Sequence, residues 1–103
     1  MNKALSRYDH FIALGNSGKK EDIDRLMNAL ASGHDLAKFK LVDYAISLVN
    51  TKEGVERIKY YLFNGIHIQR NYAALFFKRR GNFDLLDEAL AMEKIDREQA
   101  LSK

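Results

Sequence analysis

Catalysis and metal binding need particular side chains in company, and this sequence brings few of them together. His10, His34 and His67 stand far apart with no pair at ligand spacing, and there is no cysteine. A metal site would therefore have to be assembled from distant carboxylates. No histidine has the Ser/Asp setting of nucleophilic catalysis, and His34 and His67 follow Gly33 and Gly65 in near-equivalent positions that a role in a turn explains. No serine sits in a Gly-x-Ser-x-Gly context, and there is no Gly-x-Gly-x-x-Gly or phosphate-loop run. Gly15 to Gly18 reads as one short loop before a helix, whose N-terminus with Lys19 and Lys20 beside it suits an anion. Asp84, Asp87 and Glu88 share part of a helix, where carboxylates serve the helix dipole and solubility. These residues imply no catalytic group, no cofactor and no metal, and hence a protein that is not an enzyme.

The residues that do gather are cations and aromatics. Arg70, Lys78, Arg79 and Arg80 stand close in sequence to Lys59 and Tyr60, and seven aromatics (Tyr60, Tyr61, Phe63, Tyr72, Phe76, Phe77 and Phe83) fall between positions 60 and 83. So many cannot all face one core in so small a chain. Tyr60 and Phe63 lie off the inner stripe of their helix. Tyr, Phe and Arg are the residues that anchor protein interfaces, so the expected binding face comprises Tyr60, Phe63, Arg70, Lys78, Arg79 and Arg80. The alternative use of the same groups is nucleic-acid binding, with bases stacked on aromatics beside phosphate-binding cations. A basic last turn also has a purely structural use against the helix dipole, and Tyr72, Phe76 and Phe77 are expected largely in the core.

Six amphipathic helices position these groups. The spacing of Ala4, Leu5, Tyr8, Phe11 and Ile12 predicts a helix over 3–14, broken by Gly15–Gly18. A second, from Lys19 to Ser32, turns Ile23, Leu26, Met27 and Leu30 inward and ends at Gly33. Asp35 caps a third, Leu36 to Val49, with Leu36, Phe39, Val42, Ile46 and Val49 on one face and Leu41, Ala45 and Leu48 on another, as in a helix packed between neighbours. Thr51 caps the fourth, which carries Val55, Ile58, Tyr61 and Leu62 inward, an expected Glu53–Arg57 ion pair, and ends at Gly65. The fifth, His67 to Arg80, again looks sandwiched. Gly81 closes it, and Asn82 caps a sixth with Phe83, Leu86, Ala89 and Leu90 inward; Asp96 is expected to cap a last short turn. No stretch alternates with period two, so no strand is expected.

The bulk numbers agree with one all-helical domain spanning 1–103. The chain is 47% apolar, enough for a core without staples, and contains no proline, which helix interiors exclude. Nothing approaches the apolar length of a signal peptide or membrane span, so the expectation is a cytoplasmic protein without a membrane partner. Charge is unevenly laid out: residues 51–80 carry a net +5 and residues 81–103 a net −3. The basic middle is suited to an acidic protein partner, or to the acidic end of a second copy.

The sequence also repeats weakly. Arg25-Leu26, Leu30, Gly33 and Leu36 match Arg57-Ile58, Leu62, Gly65 and Ile68 at a constant offset of 32, and Leu86 and Leu90 continue the series at 28. Residues 57–68 (RIKYYLFNGIHI) and 74–86 (ALFFKRRGNFDLL) resemble the outer helix, inner helix and turns of the ankyrin repeat. Tyr72-Ala73-Ala74-Leu75 stands in place of that family's Thr-Pro-Leu-His, and Glu93 stands where the last turn glycine belongs. The resemblance implies stacked antiparallel helix pairs that bind proteins without catalysis; HEAT-like hairpins or a plain six-helix bundle fit the same pattern.

Overall fold

The computed structural model describes residues 3–33 and 35–95, with side chains from Tyr8 onward. Ala4 and Leu5 as inward residues, His34 and the Asp96 cap lie outside what is described. The chain is all-α. Among the described residues there are six helices and no strand: α1 Lys3–Ser17, α2 Lys20–Ala31, α3 Leu36–Ser47, α4 Lys52–Asn64, α5 His67–Arg79 and α6 Phe83–Ala91. It divides into two compact units, with the boundary inside α4 between Arg57 and Ile58.

In the first unit α1, α2 and α3 each pack on the other two. Ile23, Leu26, Met27 and Leu30 of α2 are all buried, as their spacing requires. The expected break at Gly15 does not occur, and α1 runs on to Ser17. Gly15 is instead a crossing point: a Cβ there would stand 2.1 Å from the carbonyl oxygen of Ala45 on α3. Only a residue without a side chain lets the two backbones approach so closely. The helix stops at Gly18, whose φ is +64°.

The loop at Gly18 is clasped by the start of α4. Thr51 Oγ1 accepts from the Gly54 N–H at 2.9 Å, the expected cap, and donates to the Gly18 carbonyl at 2.7 Å. The Glu53 carboxylate accepts from the Lys20 N–H at 2.7 Å. This replaces the capping side chain that α2 lacks, because Lys19 in the cap position has no acceptor. The expected Glu53–Arg57 pair is thereby overturned. Arg57 instead forks onto Asp24 of α2, Nε to Oδ1 at 2.7 Å and Nη2 to Oδ2 at 3.3 Å. Tertiary partners in a half-buried setting outcompete an exposed pair along one helix, worth only a few tenths of a kcal/mol.

α3 begins as expected, with Asp35 accepting from the Lys38 N–H. Its core face is Phe39, Val42, Ala45 and Ile46, and the helix ends at Ser47, two residues short of the expected Val49, which is buried just beyond it. Leu36 departs from the expected inner face and is 72% exposed, while Leu41 and Leu48 are half-buried. In the second unit, Ile58 and Leu62 are buried on α4, and five consecutive residues of α5, Ala73 to Phe77, are buried. At about 100° per residue five positions go right round a helix, so this stretch of α5 is enclosed on all sides, in keeping with a sandwiched helix.

α5 packs on α6, and the turn between them has a defined chemistry. Gly81, with φ +76°, donates to Lys78 O at 3.0 Å, and Asn82 donates to Phe77 O at 2.9 Å. This pair of bonds is the Schellman motif. The end of α6 repeats it without a glycine: Glu93, at φ +59°, donates to Leu90 O and Lys94 donates to Ala89 O. Asn82 occupies the cap position of α6, yet its side chain makes no cap bond. Gly33 and Gly65, matched in the repeat, do different jobs. Gly33 has φ +108° with open space around it, whereas a Cβ on Gly65 would press on Tyr61 O and on Gln69.

Candidate interaction surface

All six residues of the expected binding face lie on the second unit. Tyr60 and Phe63 are one turn apart on α4. Tyr60 is 46% exposed and stands edge-on to Tyr61, with ring centroids 5.4 Å apart, while Phe63 is half-buried. Arg79 and Arg80 are exposed and Lys78 is half-buried. Successive helical residues point about 100° apart, so these three cations fan around the end of α5 and do not line one face. The Arg80 guanidinium lies over the ring of buried Phe76, 5.1 Å from its centroid, a cation–π contact that holds the charge close to the protein surface.

Arg70 makes a contact within the second unit. It is half-buried, Nη1 donates to the Lys94 carbonyl at 2.8 Å, and its buried Nε has no protein partner. Arg70 therefore ties the middle of α5 to the turn that follows α6. It sits eight residues, roughly 12 Å along the helix axis, before Lys78.

The first residue of α6 was expected inside. Phe83 is 57% exposed, and Leu86 and Ala89 carry the burial instead. Helical side chains lean toward the N-terminus, so that of the first residue overhangs the helix end rather than lying on α5. Sequence reasoning also missed the exposed Ile66 and Met92 (53% and 54%) and the buried Gln69, whose Oε1 accepts from the Ile66 N–H at 2.9 Å. A signal for Gln69 was available: it stands at the third position of a helix whose cap residue, Ile66, has no acceptor of its own, where a Gln reaching back is the usual remedy.

The other candidate chemistry is taken up locally. The anion position expected at the start of α2 is filled by the chain's own Glu53. The Ser17 hydroxyl donates to the Asp22 carboxylate, and this bond, with Arg25 2.6 Å away, holds the Asp22 carboxyl below its ordinary range. His67 is exposed at the first position of α5, and His10 lies beside Phe11. Among the described residues no group of three or more His, Asp or Glu side chains could hold a metal ion. No described helix is long and apolar enough to cross a membrane. No family model, no curated protein and no solved structure matches this chain.

Proposed function

We propose that the chain is a cytoplasmic, non-enzymatic helical-repeat module, ankyrin-like in its pairing of helices, that binds a protein with an acidic surface through the second unit. The observation that carries the reading is the exposed Tyr60, one turn from half-buried Phe63, on the same unit as exposed Arg79 and Arg80. Exposed aromatic and cationic side chains on one unit are the residue types of a protein interface, where buried aromatics supply affinity and charges steer the encounter. The fan of cations around one helix end gives less support to a nucleic-acid reading, which favours a track of cations along a strand. Arg70, bound to a main-chain carbonyl, positions α6 instead of joining the contact.

The test is fluorescence anisotropy with a labelled random copolymer of glutamate and tyrosine, and separately with a labelled random single-stranded RNA, each across a salt series. Binding of the copolymer is expected, weakened more by Tyr60→Ala with Phe63→Ala than by Lys78→Gln, Arg79→Gln and Arg80→Gln together. RNA binding with a steep salt slope that the triple Gln variant reduces would replace this reading with nucleic-acid recognition. Binding of neither probe would remove this face from consideration.

A further inference from the structure

Phe83 separates two oppositely charged stretches of the second unit. Before it stand Lys78, Arg79 and Arg80 at the end of α5; after it come Asp84, Asp87 and Glu88 on α6. At 100° per residue, Phe83, Asp87, Ala91, Asp84 and Glu88 succeed one another around one half of α6, with Met92, the residue that caps its end, next in the series. All six are exposed, while Leu86 and Ala89 on the other half are buried. Asp84, Asp87 and Glu88 make no hydrogen bond or ion pair among the described residues. The outer half of α6 and the residue after it thus combine two large apolar side chains with three exposed carboxylates, in a segment that follows a cationic helix end.

An exposed aromatic that is preceded along the chain by exposed cations and followed by exposed carboxylates offers the parts of a self-complementary surface. Rotated by half a turn about an axis near the aromatic, each charged patch meets its opposite, which is the requirement of a closed two-fold interface. We propose that the second unit forms such a dimer with another copy of the chain. Phe83 of each copy packs near the axis against Phe83 of the other, and Arg79 and Arg80 of each reach Asp87 and Glu88 of the other. The arrangement places an apolar centre inside a charged rim. It rests on the reading that the second unit binds an acidic protein surface through Arg79 and Arg80, and it names that protein as a second copy.

Sedimentation velocity of the full chain over a concentration series reads the outcome. At low salt the chain passes from monomer to dimer as concentration rises, and added salt pushes it back. Phe83→Ser weakens the dimer at least tenfold. Arg79→Glu with Arg80→Glu, and Asp87→Lys with Glu88→Lys, each give a monomer. An equal mixture of these two double variants recovers a heterodimer, because both cross-pairs are complementary again. Circular dichroism confirms that each variant keeps its helices, since every changed residue is exposed. A wild-type monomer at all concentrations, a dimer indifferent to Phe83→Ser, or a mixture that stays monomeric overturns the proposal. A wild-type monomer that still binds the glutamate–tyrosine copolymer loses the dimer alone; one that binds neither loses the acidic-partner reading as well.

Discussion

Single residues in the first unit are set by contacts that reach across the chain. Gly15 shows two effects in competition. On helix propensity alone, Gly15→Ala inside α1 would stabilise by about 1 kcal/mol. The added Cβ, however, meets main chain of α3, which cannot rotate away, and overpacking of this kind costs about 1–3 kcal/mol or more. Packing wins, and Gly15→Ala is expected to lower the urea midpoint with an unchanged slope; a raised midpoint would show that α1 and α3 do not cross there. Asp22 carries a pH dependence of known sign. Its carboxyl is held below the ordinary value of about 3.9 in the folded chain, so its stabilisation is complete above that value and is lost as pH falls through the lower, folded one. Ser17→Ala removes the largest cause, so an NMR titration should show the Asp22 pKa move up toward its ordinary value. No movement would mean that the hydroxyl is not the cause.

At the scale of elements, the ends of α5 and α6 make a matched pair. Both close with the same two backbone bonds, yet Gly81 stands at one left-handed position and Glu93 at the other. A left-handed conformation costs an L residue about 1–2 kcal/mol, and nothing lies within 4 Å of a Cβ placed on Gly81. Gly81→Ala should therefore destabilise by about 1 kcal/mol through backbone strain alone, while Glu93→Gly should stabilise by up to about 1 kcal/mol. Opposite shifts in thermal midpoint are the expected outcome, and shifts of the same sign would sink the argument. The Arg57–Asp24 fork joins α2 to the first turns of α4 from a half-buried position. A double-mutant cycle with Arg57→Gln and Asp24→Asn should give a coupling of about 1 kcal/mol, whereas Arg57→Gln with Glu53→Gln should give essentially none.

For the whole molecule the informative quantity is not the net charge of +3 but its separation into a basic 51–80 and an acidic 81–103. Separated charge acts at a distance on encounter rates and is screened within about 10 Å at moderate salt. Association with the glutamate–tyrosine copolymer should slow steeply as salt rises while dissociation changes little. The triple Gln variant at positions 78–80 should show roughly a tenfold slower on-rate at low salt and a flatter salt dependence. An on-rate indifferent to salt would assign recognition to the aromatic anchor alone.

The helices themselves were legible in the sequence, because a 3.6-residue apolar period and its breakers are local facts. Ile23, Leu26, Met27 and Leu30 lie where their spacing puts them, Asp35 and Thr51 cap as short polar side chains do, and the apolar run 73–77 of α5 is enclosed as an all-round apolar stretch must be. What tertiary structure alone decided were the contacts between residues far apart in the chain. Whether a glycine ends a helix or lets another helix cross it depends on what lies opposite, and for Gly15 that is Ala45, thirty residues on. Whether Glu53 pairs along its own helix or caps a distant one depends on where the Lys20 N–H is brought. The exposure of Phe83 and the commitment of Arg70 to the Lys94 carbonyl have the same origin. Periodicity assigns a residue to a face, but only the neighbouring element determines whether that face is covered.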